Sequence, residues 1–375
     1  MTSIRRRLSI AQTALFSKRI KKKVVVFESD DWGSIRTPLD IGDEFKSFNL
    51  NLHKNPYHRF DTLESPTDID NLLTTIENLS SAVGRKVKIT LNYVLANPDF
   101  DKIKTSNYTQ YFYESFPTTY DRYYGSTVGL DYVLKATENQ LSLPQFHGRE
   151  HVHAPYWLEK LRSGDKVLSK AFDLGFWGLG SDVYNLPGPK LQATFDARNE
   201  SDLNFAHNSI TEGVMLHKDV FGFKPKSFIP NNYTWPTTLD GVLLDNGIEF
   251  LQGMKKMANV NLNKEEKRSY ALRRAGYKTK SGLINIVRNS SFEPSFYRDR
   301  EKEIAKCLSE IRTAFFCKQP AVISTHRINY VGGLSEQNRI QNLKLFSRLV
   351  KTIVKEWPEV EFWNSVDLGE NYRKI

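Results

Sequence analysis

Two pairs of residues in this sequence have the types and spacing that hold metal ions. His147 and His151 stand four residues apart, so a helical turn would bring both imidazole rings to one cation. Asp30 and Asp31 are adjacent carboxylates, which repel each other unless a cation or a proton compensates them. Neighbouring side chains point in different directions, so one carboxylate could bind a metal while the other faces a substrate. Two histidines and a carboxylate suit Zn²⁺, Fe²⁺ or a similar ion that keeps open positions for water.

A further histidine, His326, follows the apolar run at residues 321–323. Histidine titrates near neutral pH, so this side chain is a candidate general acid. Each cluster also has a plainer interpretation when taken alone. A turn or helix cap explains the aspartate pair, coincidence explains the histidine pair, and a backbone bond explains His326. His153 is either an additional ligand or a surface residue.

These polar clusters follow short apolar runs typical of buried parallel strands. The strands are predicted at 24–27, 87–93, 143–147, 174–178, 226–230, 248–252, 283–287 and 321–325. Helical periodicity predicts helices at 67–83, 155–172, 200–220, 300–316 and 336–356. Strands that alternate with helices indicate a parallel sheet, and seven or eight such units favour a closed or nearly closed barrel. The chemistry of such a barrel lies at the carboxyl ends of its strands.

The positive charge is concentrated at the start of the chain. The net charge is +10, and residues 1–23 hold eight basic side chains and no acidic one. We therefore predict a basic N-terminal arm at 1–23 and a single α/β barrel domain at 24–375, with an aromatic-rich insertion at about 100–126. The favoured interpretation of the arm is a solvated, partly helical segment. Contact with an anionic membrane is the second interpretation, and nucleic-acid binding is disfavoured. The aromatic insertion either stacks on sugars or, as favoured, packs against the barrel.

Composition restricts the class of protein. Hydrophobic residues make up 39% of the chain and include 23 Phe, which is enough for a large core. No apolar run approaches the roughly 18 residues of a membrane span, and no secretory signal pattern is apparent. The two cysteines, Cys307 and Cys317, indicate reduced thiols rather than a disulfide framework, so a cytoplasmic protein is expected. The Gly-rich loops that bind nucleotide phosphates are missing from the sequence.

Taken in chain order, the polar clusters resemble the motifs of the polysaccharide deacetylase (NodB-homology) family, within the glycoside hydrolase/deacetylase barrel superfamily. The segments that carry this resemblance are Glu28-Ser29-Asp30-Asp31-Trp32-Gly33, His147-Gly148-Arg149-Glu150-His151, Ser227-Phe228-Ile229-Pro230-Asn231-Asn232-Tyr233 and Ser324-Thr325-His326. The chain departs from the family at Gly148, where Ser or Thr is usual, and at Ile229, where an arginine that orients the base is expected. Arg149, Arg288 and Arg327 are candidate replacements. The family's fourth motif has no convincing match.

The resemblance implies a distorted (β/α)7-8 barrel that binds one divalent metal ion. By this resemblance Asp31, His147 and His151 would hold the metal, Asp30 would be the general base and His326 the general acid. Zn²⁺ is the favoured ion, with Fe²⁺, Co²⁺ and Ni²⁺ as alternatives. A backbone N–H near Tyr233 would help to stabilise an oxyanion. Substrate contacts are expected from five further residues, namely Trp32, Asn231, Tyr233, Arg288 and Glu293. For Glu293, contact with a histidine beside the site and a loop salt bridge are the alternatives.

The activity implied by the resemblance is removal of N- or O-acetyl groups from a saccharide. We expect this in the cytoplasmic assembly of a surface polysaccharide, such as capsule or O-antigen. The basic arm would then favour meeting a lipid-linked precursor at the inner membrane face. A glycosidase that uses Asp30 and Glu293 is the enzymatic alternative. The non-enzymatic alternative is a barrel that has lost activity and binds saccharide or nucleic acid.

Overall fold

A nearly closed barrel of parallel strands forms the centre of this protein. The computed structural model describes residues 3–39, 51–260, 262 and 268–375. In those residues the strands are β1 Val24–Trp32, β2 Ile89–Tyr93, β3 Ala96–Pro98, β4 Tyr113–Ser115, β5 Ser142–Phe146, β6 Ser227–Phe228, β7 Phe250–Met254, β8 Lys256–Val260, β9 Arg268–Leu272, β10 Ile284–Arg288, β11 Ser290–Ser291, β12 Ala321–His326 and β13 Glu361–Trp363.

Helices surround the barrel and connect its strands. They are α1 Ser3–Ala14, α2 Pro56–Phe60, α3 Pro66–Val83, α4 Phe100–Thr105, α5 Phe116–Tyr124, α6 Val128–Glu138, α7 Ala154–Arg162, α8 Lys166–Asp173, α9 Glu200–Phe221, α10 Asp240–Asp245, α11 Glu301–Phe316, α12 Glu336–Glu356 and α13 Ser365–Lys374. No helix in the described ranges is long and apolar enough to cross a bilayer.

The order of the strands confirms the predicted barrel. The strands are hydrogen-bonded in the order β10-β7-β6-β5-β2-β1-β12-β11, and their pairings are parallel. The first and last strands of this order, β10 and β11, are separated in the sequence only by Asn289, so they form one bent stretch of chain. That stretch pairs with β7 through its first half and with β12 through its second half, which brings the barrel almost to closure.

Two elements differ from the sequence prediction. Residues 174–178 are not a strand. The apolar run there comes from Phe176 and Trp177, which pack into a second core beside α7 and α8. The helix predicted at 155–172 is two helices, α7 and α8. Gly164 lies between them with φ +77°, in the left-handed region that ends helices.

The first strand ends in an irregularity that places its two carboxylates. The pairing of β1 with β2 shifts register between Ser29 and Trp32, which is the sign of a β-bulge. Within it Asp31 has φ +76°, a conformation that non-glycine residues rarely adopt. Gly33 follows with φ +80°, and a Cβ there would lie 2.3 Å from the Val94 carbonyl oxygen. The bulge therefore turns Asp31 away from the ordinary alternation of the strand.

The predicted N-terminal arm and aromatic insertion both contain residues that pack on the barrel. Helix α1 lies against α11, where Ile10 and Ala14 are buried and Arg6 Nε bonds Glu310 Oε1 at 2.9 Å. In the insertion, Phe116 and Tyr120 are fully buried in the main core. Their burial agrees with packing rather than with sugar stacking.

Candidate metal centre

Three side chains, one from the end of β1 and two from the loop after β5, converge in a buried cluster. Asp31 Oδ1 lies 3.3 Å from His147 Nε2 and 3.2 Å from His151 Nε2. Their candidate ligand atoms all lie within 4.8 Å of one another, and all three residues are buried. The carboxyl ends of the parallel strands β1 and β5 thus bring together residues that are more than a hundred positions apart in the sequence.

A hydrogen bond orients the His147 ring, and burial keeps the His151 ring uncharged. His147 Nδ1–H donates to the Ile229 carbonyl at 2.8 Å, which leaves the lone pair of Nε2 directed at the cluster. Burial lowers the pKa of His151 to about 4, so its ring is uncharged at neutral pH. The sequence predicted that the two residues share a helical turn, and this prediction is wrong. They lie on a loop after β5 that contains Gly148 at φ +106°.

Arg36 holds the second oxygen of the cluster's carboxylate. Its guanidinium donates to Asp31 Oδ2 at 3.0 Å and lies 4.1 Å from the centre of the Tyr57 ring. Burial alone would raise the pKa of Asp31, but Arg36 and the two histidines lower it well below its usual value. The carboxylate therefore stays ionised and presents Oδ1 to the histidines.

The donor set fits a divalent cation. One carboxylate oxygen and two imidazole nitrogens are the ligands that Zn²⁺ and similar ions take in open catalytic sites. His151 Nδ1 is buried and has no hydrogen-bond partner in the described part of the chain. Such an atom would carry the proton of the tautomer whose Nε2 binds a metal. Asp31, His147 and His151 are therefore the residues that would hold the ion.

The neighbouring carboxylate, Asp30, is held by Arg288 at the end of β10, a strand that continues into β11 beside β12 in the barrel wall. Arg288 NH1 donates to Oδ2 at 2.6 Å and NH2 donates to Oδ1 at 2.7 Å, while Nε donates to Glu28 at 2.6 Å. Asn92 Nδ2 adds a bond to Asp30 Oδ1 at 2.8 Å. Burial would raise the pKa of Asp30, but the charge and bonds of Arg288 outweigh it and lower the pKa.

His326, the last residue of β12, also lies close to Asp30. Its Nε2 is 3.7 Å from Asp30 Oδ2, and its Nδ1–H donates to Glu293 Oε1 at 2.6 Å. Asn329 Nδ2 in turn donates to Glu293 Oε2 at 2.7 Å. Burial would lower the pKa of His326, but Glu293 and the two aspartates raise it to about 10. The imidazole is therefore protonated at neutral pH and can donate a proton.

The structure gives a different position to several residues expected to contact substrate. Trp32 is fully buried, and its indole donates to Ser29 Oγ at 3.0 Å, so it offers no face to a ligand. Arg288 is also buried and is committed to Asp30. Glu293 orients His326 rather than facing an open subsite. Asn231 is buried and donates to the His147 carbonyl at 2.9 Å, so it supports the ligand loop.

The backbone N–H expected near Tyr233 for stabilising an oxyanion is not that of Tyr233 itself. Its N–H donates to the Pro230 carbonyl at 3.1 Å and so is not free for an oxyanion. Its phenol oxygen accepts from Arg288 NH1 at 3.2 Å, which places the side chain beside Asp30. Of the five expected substrate contacts, Tyr233 keeps a partly exposed side chain next to Asp30, and Glu293 keeps one beside His326.

Sequence reasoning missed Arg36, Asn92 and Trp177. Asn92 is a polar residue inside the buried apolar strand β2, which was a usable signal of a polar site. Trp177 stacks on His151 with 5.7 Å between ring centres. It lies in the apolar run at 174–178, which predicted a strand and not a site residue. Arg36 lies in an irregular segment, where no periodicity marks it.

The comparisons give low similarities that span most of the chain. No family model and no curated protein matches the sequence. A probable polysaccharide deacetylase from Pseudomonas aeruginosa PAO1 is 9% identical over 94% of this chain and 92% of its own, with a TM-score of 0.44. The PuuE allantoinase is 10% identical over 94% and 91%, with a TM-score of 0.46. A GH57-type branching enzyme from Pyrococcus horikoshii is 11% identical over 94% and 71%, with a TM-score of 0.47. Polysaccharide deacetylases, which the sequence motifs resemble, are thus among the similar solved structures.

Proposed function

We propose that this protein is a metal-dependent hydrolase that removes N- or O-acetyl groups from a saccharide. One observation carries the proposal. The ionised Asp30 and the protonated His326 lie side by side, next to the buried cluster of Asp31, His147 and His151. A base, an acid and a three-ligand metal site are the parts that hydrolysis of an amide or ester needs.

Each side chain has a defined task in this proposal. A bound divalent cation, with Zn²⁺ favoured, would supply a Lewis acid that polarises a carbonyl and makes water more acidic. Asp30, kept ionised by Arg288, accepts the proton of the attacking water. His326 donates its Nε2 proton to the departing nitrogen or oxygen of the sugar. Glu293 holds that imidazole by Nδ1, which fixes the direction in which Nε2 points.

The glycosidase alternative is less compatible with the contacts. It requires Asp30 and Glu293 to face one glycosidic bond with open space between them. Instead the His326 ring lies between these carboxylates, with Nδ1 on Glu293 and Nε2 towards Asp30.

The proposal includes a place of action. A basic N-terminal segment suits the anionic cytoplasmic face of a membrane, and this supports a cytoplasmic role in building a surface polysaccharide such as capsule or O-antigen. Deleting the gene from its native host should then alter the acetylation of that polysaccharide. Unchanged acetylation would contradict the biosynthetic role without affecting the proposed chemistry.

The chemistry is tested by acetate release from N- and O-acetylated oligosaccharides. The protein is stripped with a chelator and then given Zn²⁺, Fe²⁺, Co²⁺ or Ni²⁺. We expect release only with metal, and a fall of about 100-fold or more in Asp30→Asn, as for loss of a general base. Asp70→Asn, an exposed acid on α3, is the matched control. Release of reducing sugar without acetate would establish the glycosidase instead. Saccharide binding without any release would establish an inactive barrel.

A further inference from the structure

Three segments with basic but no acidic residues meet at one end of the barrel. They are residues 3–23, 268–281 and 311–319. The Lys18 N–H donates to the Ala275 carbonyl at 2.9 Å, and the Ile20 N–H donates to the Lys318 carbonyl at 3.0 Å. Arg274 Nε donates to the Phe16 carbonyl at 2.9 Å. These bonds join the segments into one surface, which we call the basic end.

The basic end also exposes large apolar side chains. Leu15 is 71% exposed, Phe16 is 54% exposed and Phe316 is 88% exposed. Leu8, 58% exposed, lines a groove of about 460 Å³ between α1 and α11 together with Phe316. Arginines line the same groove, namely Arg7 and Arg312. Apolar side chains among basic ones are the pattern of proteins that lie in a membrane interface.

The basic end lies opposite the candidate metal centre. Residues 20, 275 and 319 come shortly before the starts of β1, β10 and β12. The site residues Asp30, Arg288 and His326 stand at or near the carboxyl ends of those same three strands. Because the strands are parallel, the two groups occupy opposite ends of the barrel.

We propose that the basic end docks on an anionic phospholipid bilayer, with Leu15, Phe16 and Phe316 entering the interface. The catalytic end then faces the aqueous phase. This inference does not rest on the proposed hydrolase activity. A polyanion such as nucleic acid would use the basic side chains, but it offers no apolar phase to Leu15 or Phe316. A docked protein would take its saccharide from solution or from a part of a glycan remote from its lipid anchor.

The test is flotation of the full-length protein with vesicles of phosphatidylcholine, alone or mixed with phosphatidylglycerol. We expect binding to the mixed vesicles only, and weaker binding as salt is added. A basic residue near an anionic surface contributes roughly fivefold to binding. Arg19→Glu with Lys21→Glu should therefore weaken binding by at least about 25-fold. Leu15→Ser, Phe16→Ser and Phe316→Ser combined should weaken it by at least about tenfold.

Matched controls separate the surface from general charge and hydrophobicity. Lys344→Glu with Lys351→Glu reverses two exposed charges on α12, and Met215→Ser removes an exposed apolar side chain on α9. Both controls should bind like the wild type. Equal binding to neutral and mixed vesicles would overturn the proposal. It would also be overturned if the serine variants bound normally while duplex DNA displaced the vesicles, because the surface would then be a polyanion site.

The orientation has its own measurement. An environment-sensitive fluorophore is attached at Leu15→Cys or at Phe296→Cys, each in a Cys317→Ser background. Phe296 is 40% exposed and contacts Tyr57 near His326, at the catalytic end. Mixed vesicles should shift the emission of the label at position 15 and leave the label at position 296 unchanged. A shift at position 296 alone would place the other end on the membrane.

Discussion

Arg288 binds both carboxylate oxygens of Asp30, with donor–acceptor distances of 2.6 and 2.7 Å. In the deacetylase family that the sequence resembles, an arginine at the position of Ile229 is expected to orient the base. Ile229 is fully buried here, and its carbonyl accepts from His147 instead. The arginine comes from β10, two strands further along the barrel wall from β6. In this chain the arginine that contacts Asp30 therefore comes from a different strand than the resemblance implies.

Replacing Arg288 with lysine should separate orientation from charge. Lysine keeps the positive charge but cannot make the paired contact with both oxygens of Asp30. We expect kcat for acetate release to fall by roughly 10- to 100-fold. Metal content should stay unchanged, because Arg288 touches none of the candidate ligands. Steady-state kinetics beside elemental analysis measures both effects, and an unaltered kcat would remove Arg288 from the mechanism.

Replacing Arg288 with methionine should destabilise the protein. The change leaves Glu28 and Asp30 buried without their cation, and breaking a buried ion pair costs about 3–5 kcal/mol. Glu28→Gln in the same chain should restore part of the loss, since one of the two unpaired charges is removed. Urea unfolding of the three proteins gives the comparison. If Glu28→Gln brings no recovery, the two carboxylates do not share Arg288 in the way the distances indicate.

The sequence predicted the barrel, and also the end of it where the polar cluster lies, because apolar runs and the polar residues after them mark strands and strand ends. The apolar runs at 24–27 and 321–323 are followed directly by polar side chains, so Asp30 and His326 could be placed near strand ends without knowing the fold. Arg36 could not be found in this way, because only long-range packing brings its irregular segment to Asp31. The spacing of His147 and His151 pointed to two rings that the structure does bring together, although not on the predicted helical turn. A loop with a left-handed glycine brings the rings together as well as a helix would.

Metal content should depend on His147 and His151 but not on His153. His153 caps α7, since its Nδ1 accepts from the Tyr156 N–H at 3.3 Å while its Nε2–H donates to the Asp196 carbonyl at 3.0 Å. Both nitrogens are therefore used, which leaves none for a cation. His147→Ala and His151→Ala should lose bound metal, whereas His153→Asn should keep it, because asparagine also caps helices. Elemental analysis of the three variants measures the bound metal. Loss of metal in His153→Asn alone would mean that the metal site is not the one formed by His147 and His151.

The activity should fall at alkaline pH as His326 loses its proton. Its pKa is raised to about 10, so the acid form persists through the neutral range. Glu293→Gln removes the largest raising influence, and the alkaline limb of kcat/KM should then move to lower pH. The folded pKa lies above the unfolded value of about 6.5. His326 therefore stabilises the fold fully below that pH and loses this effect as the pH rises through about 10. Identical pH profiles of the variant and the wild type would contradict this role.

Gly33→Ala should damage both the fold and the metal site, while Gly84→Ala should cost little. Both glycines have positive φ, +80° and +67°, so alanine is strained by roughly 1–2 kcal/mol at either position. At Gly84 no other atom lies within 4 Å of the added Cβ, whereas at Gly33 the Cβ would be 2.3 Å from the Val94 carbonyl oxygen. Backbone would have to move there, and the bulge that turns Asp31 would move with it. After chelation, urea unfolding should show that Gly33→Ala lowers the free energy of unfolding by at least about 3 kcal/mol, against about 1 kcal/mol for Gly84→Ala.

Metal affinity should weaken only in Gly33→Ala. Equal losses in the two proteins would mean that the close approach at Gly33 does not hold the bulge in place.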